Sequence, residues 1–115
     1  MNETQFTNKI LRPYLKGLGF HKIHKTSERF SSGWPDLTCI HYPSGATIYI
    51  EAKVDKNVPT PSQMSELVDL SKCGAHAYVF TYLNTFKEFI IEQVASNGAK
   101  VLIKNRTDFT RRYNP

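Results

Sequence analysis

The run Thr47-Ile48-Tyr49-Ile50-Glu51-Ala52-Lys53-Val54 constrains the fold of this chain more than any other stretch. Its β-branched and aromatic residues favour an extended strand, and side chains two apart on a strand share a face. Glu51 and Lys53 therefore point the same way from an apolar-flanked element. Upstream lies Trp34-Pro35-Asp36-Leu37, and Leu37 to Tyr42 with Ala46 to Val54 read as two strands joined by a turn at Pro43-Ser44-Gly45. Such a hairpin brings Asp36 near Glu51. Two acids and one lysine at neighbouring strand positions can bind a metal and activate water.

The surrounding sequence supplies the frame. Phe6, Ile10, Leu11, Tyr14, Leu15 and Leu18 recur at three- and four-residue steps and predict a helix from Asn2 to Leu18. Pro13 is expected to kink or split it. Phe20 to Lys25 alternates like a half-exposed strand, and Thr26 to Gly33 reads as a loop. After a polar loop over Asp55 to Pro61, Thr60 or Ser62 caps a helix running to about Lys72, with Pro61 in its first turn and Gly74 ending it. Ala75 to Phe80 reads as a buried strand, parallel to the one before the helix. Phe86, Phe89, Ile90 and Val94 predict a last helix to about Ser96. Val101-Leu102-Ile103 reads as a short edge strand, and the polar tail after Lys104 as mobile. The expected class is α/β, a mixed central sheet flanked by helices in the core order αβββαβ, as one domain over residues 1–115.

Charge narrows the partner. Fifteen Lys and Arg against ten Asp and Glu give +5 at neutral pH, and a polyanion such as nucleic acid is the natural counterpart. Lys22, His24, Lys25, Ser27 and Lys56 are the candidate DNA contacts. No apolar run approaches membrane-spanning length and nothing reads as a signal peptide, so a cytoplasmic location is expected. Cys39 and Cys73 lack metal-type spacing and are expected to be reduced thiols. The four histidines form no ligand set for zinc.

Pro35-Asp36 and Glu51-Ala52-Lys53 together resemble the PD-(D/E)xK signature of the restriction-endonuclease-like nucleases. With Gly33 before Trp-Pro-Asp and Pro-Thr-Pro-Ser-Gln opening the following helix, the order is similar to the small VRR-NUC nucleases, which stand close to the Holliday-junction resolvases. The likeness spans roughly Glu3 to Phe80. It implies a stand-alone phage-type protein, at work in a bacterial host cell, that cuts branched DNA as a homodimer. Asp36, Glu51 and the Ala52 carbonyl would hold magnesium, for which manganese substitutes, and Lys53 would be the catalytic lysine. Such geometry suits a hard cation that prefers oxygen ligands and keeps several waters.

Several of these residues carry a second reading. For Glu3 the resemblance implies a further metal ligand from the first helix, and the other reading is a favourable charge near a helix N-terminus. Gln63 matches the glutamine that follows the lysine in that family, which implies a hydrogen bond to the phosphate, a site carboxylate or Lys53, and it otherwise reads as an ordinary helical residue. Trp34 either packs or stacks on a base. Asp36 could be a strand-start polar residue, and Glu51 with Lys53 a solvent-facing charge pair. Two further functional classes remain open: a restriction- or repair-type nuclease acting on linear duplex, and a non-catalytic nucleic-acid-binding module that shares the basic surface.

Overall fold

In a computed structural model of the chain, which describes residues 1–26 and 33–113, the hairpin expected around the acidic motif lies at the heart of one sheet. Its strands are β1 (Phe20–Lys25), β2 (Leu37–His41), β3 (Thr47–Val54), β4 (His76–Leu83), β5 (Glu88–Val94) and β6 (Lys100–Ile103), side by side in chain order. All neighbours are antiparallel except β3 and β4, which are parallel. That exception follows from the helical crossover α3 (Pro61–Lys72) between them. The sheet is mixed and flanked by helices, as the strand and helix pattern implies.

Alternation along β3 and β4 sorts two cores onto the two faces. Ile48, Ile50 and Ala52 with Tyr78, Phe80 and Tyr82 face an aromatic-rich core that includes Phe6, Leu11 and Leu15. Ala77 and Val79 face the other way, against Leu67 of α3 and Val94. Glu51 pairs with Val79 and Lys53 with Thr81 in the ladder, so both belong to the α3 face.

The N-terminal helical segment runs as α1 (Glu3–Phe6), a π-helical turn (Thr7–Leu11) and α2 (Arg12–Gly17). A proline inside a helix loses its own hydrogen bond and crowds the carbonyl four residues back. Here the preceding turn is widened, with the Arg12 N–H bonded to the Thr7 carbonyl, and Pro13 enters in the first turn of α2. The expected interruption is thus a π turn within one helical run.

Three expectations need correction. The stretch from Phe86 to Ser96 is no helix: Glu88–Val94 is the strand β5, antiparallel to β4. Phe89 and Ile91 fall into the aromatic core at strand spacing, and β-branched Ile90, Ile91 and Val94 suit the pleat; the three- and four-residue spacing of the same apolar residues was a coincidence of composition. β4 also extends past Phe80 to Leu83, because β5 turns back to pair with it. The tail after Lys104 is structured as α4 (Arg106–Tyr113), with the Asn105 side chain accepting from the Asp108 N–H at 3.0 Å as its cap. Phe109 and Tyr113, one helical turn apart, are buried in the main core, and the Tyr113 hydroxyl meets that of Tyr78 at 2.6 Å. Both cysteines are free, Cys39 buried and Cys73 exposed. Among the described residues no helix is long and apolar enough to cross a membrane.

Phe109 is fully buried among Tyr14, Tyr78, Phe80 and Tyr113. Phe109→Ala is therefore expected to cost about 3–5 kcal/mol in urea unfolding. A cost under about 1 kcal/mol would mean that the C-terminal helix does not close the core.

Candidate active site

The site starts where β2 begins and the β2–β3 ladder ends. The last paired residues are Leu37 and Ile50, so Asp36 stands opposite Glu51 and its side chain leaves the sheet on the same face. The Asp36 Oδ2 accepts from the Ala52 N–H at 2.8 Å, a side-chain bond that continues the ladder by one step. The N–H and C=O of one strand residue face the same edge. The Ala52 carbonyl therefore faces the Asp36 side, past the last ladder pair.

Two residues outside the expected ligand set hold this loop in place. Thr26, at the end of β1, donates from its N–H to the Asp36 carbonyl at 2.8 Å and from its hydroxyl to the Pro35 carbonyl at 2.7 Å. Gly33 has φ +80°, and a Cβ there would lie 2.5 Å from the Ser62 hydroxyl oxygen. A side chain at position 33 would push the Trp-Pro-Asp loop off the start of α3. The glycine was a sequence signal; nothing in the chain marked Thr26 as more than a loop residue.

Electrostatics set Glu51 apart. It is 1% exposed, and neither carboxylate oxygen has a hydrogen-bond partner among the described residues. Among the described residues the cation beside it is Lys53 Nζ, 3.5 Å from Oε2, and Lys53 is itself buried. Desolvation, then the neighbouring Asp36 charge, push the Glu51 carboxyl up to about 8, against a smaller opposing pull from Lys53. A buried carboxylate without partners is costly, and a divalent cation is the group that both acids together could accommodate. The oxygen donors present, Asp36, Glu51 and the Ala52 carbonyl, fit a hard cation that retains several waters.

Lys53 bridges two acids. Its Nζ lies 3.9 Å from the Glu3 Oε1, which reaches in from α1, as well as 3.5 Å from Glu51. Among the described residues no three Asp, Glu, His or Cys side chains converge as a ready cation cage, so Glu3 stands against the lysine rather than as a third carboxylate beside Asp36 and Glu51. Gln63 is occupied elsewhere. Its Oε1 accepts from the Thr60 N–H at 2.9 Å while its own N–H donates to the Thr60 hydroxyl, a capping box at the start of α3. Among the described residues it hydrogen-bonds neither the carboxylates nor Lys53, and the box holds its side chain at the helix start. Trp34 packs edge-on against Tyr49 with ring centroids 5.8 Å apart.

Register also sorts the basic candidates. Lys22 pairs with Ile40 and His24 with Thr38, and Thr38 pairs with Tyr49; all of these therefore share the face of Glu51 and Lys53. Lys25 pairs with Leu37 and points to the opposite face, though at the same end of the sheet as Asp36. Lys56 is exposed in the loop after β3. Ser27 lies outside the described residues.

A carboxyl whose folded-state value lies above its ordinary 4.5 favours the protonated form in the fold. The folded protein then binds more protons than the unfolded chain between about 4.5 and 8, and stability falls as pH rises through that window. Urea unfolding in EDTA is expected to show this fall for the native sequence and not for Glu51→Gln, which should be the more stable of the two at pH 8. Equal pH slopes would contradict the burial of Glu51 as a lone carboxyl.

No protein-family model matches the chain, and no curated protein sequence does. Among solved structures it is similar to Hjc, a Holliday junction resolvase from the archaeal hyperthermophile Archaeoglobus fulgidus, at 22% identity and a TM-score of 0.56, over 77% of this chain and 70% of that one. At such identity the likeness speaks for the fold: the chain has the mixed α/β, restriction-endonuclease-like architecture.

Proposed function

We propose that this protein is a magnesium-dependent endonuclease that hydrolyses phosphodiester bonds in branched DNA. The observation that carries the reading is the pair formed by Asp36 and Glu51, the latter a buried carboxyl with no hydrogen-bond partner among the described residues. Asp36, Glu51 and the Ala52 carbonyl would hold the cation. Bound there, magnesium would supply a polarised water and neutralise charge on the phosphate, and manganese would substitute.

The chain's own groups do the rest. The Lys53 ammonium, held between Glu51 and Glu3, orients the attacking water and offsets charge that gathers on the phosphate oxygens. Glu3 keeps that ammonium aimed at the site. The Thr26 hydrogen bonds to the Pro35 and Asp36 carbonyls fix the loop from which Asp36 projects, so the two acids keep their spacing when the cation arrives. Gln63 acts through the helix start it caps.

Substrate class rests on surface and on likeness. On the face of the site, α3 covers β4 and β5, while Lys22, His24, Thr38, Ile40 and Tyr49 lie on the β1–β3 part. Ile40 is 41% exposed, and Lys22 and His24 are exposed beside it. A sheet platform with basic side chains suits a phosphate backbone read by position rather than by base sequence. The solved relative Hjc is a Holliday junction resolvase, and a branched substrate is the natural extension of that likeness. A homodimer would set two such sites for symmetric nicks.

Cleavage of a labelled four-way junction in magnesium tests the reading. Asp36→Asn, Glu51→Gln and Lys53→Ala are each expected to lower the rate by about two orders of magnitude or more, with manganese supporting the native protein and EDTA stopping it. Native rates in Asp36→Asn or Lys53→Ala would overturn the assignment.

A further inference from the structure

A large apolar side chain is out of place at the tip of the β4–β5 hairpin. The turn Asn84–Lys87 joins the two strands, and Phe86 within it is 70% exposed. Turns normally carry small or polar residues, so a phenylalanine there contributes neither to the core nor to the turn geometry. Lys87 beside it holds a left-handed backbone at φ +52°, an uncommon conformation for a non-glycine residue.

The turn is anchored on the side of the candidate active site. Asp55, just past β3, accepts from the Asn84 N–H at 2.9 Å and from its side-chain amide at 2.9 Å. The same amide donates to the Met1 carbonyl at 3.1 Å, tying the hairpin to the start of the helical segment that carries Glu3. Both Asp55 oxygens are thus engaged, and Asn84 holds the carboxyl below its ordinary value. Between hairpin and strand lies an open cleft of about 600 Å³ lined by Val54, Lys56, Asn57, Thr85 and Phe86, among others. Lys53 pairs with Thr81, and at ~3.3 Å per residue the turn begins roughly 10 Å beyond it.

An exposed ring on a cleft that Lys56 also lines, at the end of the strand that carries Lys53 and followed in sequence by Lys87, offers what a base-stacking platform needs: a π face for the base and cations for its flanking phosphates. We infer that Phe86 stacks on a base at the branch point of the DNA substrate, where stacking between the arms is interrupted, and so makes the enzyme select branched over linear duplex. The inference rests on the nuclease reading above and adds the residue that sets its substrate preference. In continuous duplex each base is already stacked on both faces, and Phe86 contributes little to binding.

The test uses four-way junctions carrying 2-aminopurine at successive positions around the branch point, and a matching linear duplex, in calcium so that binding is read without turnover. The protein with native Phe86 is expected to change the probe's fluorescence at a position next to the branch. Phe86→Ala should abolish that change and weaken junction binding roughly tenfold or more, leaving duplex binding within about twofold and the melting temperature unchanged. Phe86→Trp should restore both signals. Junction binding and cutting by Phe86→Ala at native levels would overturn the stacking role while leaving the nuclease reading intact. A native protein that neither binds nor cuts any DNA would overturn both.

Discussion

The arrangement of this molecule depends on one poorly compensated group: the carboxyl of Glu51, 1% exposed, set opposite Asp36 with no hydrogen bond to either oxygen among the described residues. Burying a charge in this way works against folding, so the carboxyl favours its protonated form at neutral pH. The surrounding structure imposes the burial nonetheless. The parallel pairing of β3 with β4 and the antiparallel pairing of β2 with β3 clamp Glu51 from both sides, and the Ala52 N–H holds Asp36 at the end of the β2 ladder. A rigid sheet keeps this arrangement, and it supports the cation site proposed above. Lys53 only partly offsets the burial, because its ammonium is shared with Glu3.

The fold serves that arrangement in layers. The aromatic core on one face, built from Phe6, Phe20, Tyr78, Phe80 and Phe109, stiffens the sheet from which the acids project. On the other face, α3 packs chiefly over β4 and β5, and Lys22, His24 and Ile40 are exposed on the β1–β2 part of that face. The close approach of Gly33 to Ser62 joins the acid-bearing loop to the first turn of α3, and the capping box of Thr60 and Gln63 fixes that turn. Positioning therefore depends on backbone contacts at least as much as on side chains of the site.

Much of this was legible in the sequence because it is local. The two-residue alternation of Thr47–Val54 specified which residues share a face, and the Pro-Ser-Gly turn specified the hairpin. Thr60, Pro61 and Gly74 marked both ends of α3. What escaped was decided by partners distant in sequence. Phe86, Phe89, Ile90 and Val94 satisfy a helical spacing, and only the free edge of β4 selects the strand. Phe109 and Tyr113 look like part of a polar tail until Tyr78 and Phe80 supply the core that receives them. At the site, the Asp36, Glu51 and Lys53 trio could be read from spacing, and Glu3 from its place on the first helix. The role of Thr26 could not, since a threonine that donates to two carbonyls of a distant loop has no signature in one dimension. Gln63 shows the converse, a residue whose local capping role competes with a role at the site.

The most direct test of the central claim is calorimetric titration of magnesium into the metal-free protein at pH 7, repeated in buffers of different ionisation enthalpy. If Glu51 is a buried carboxyl protonated in the absence of metal, binding must expel that proton. The account predicts release of about one proton per protein for the native sequence and loss of that release in Glu51→Gln. Magnesium binding with no proton release, or none of the binding at all, would contradict it.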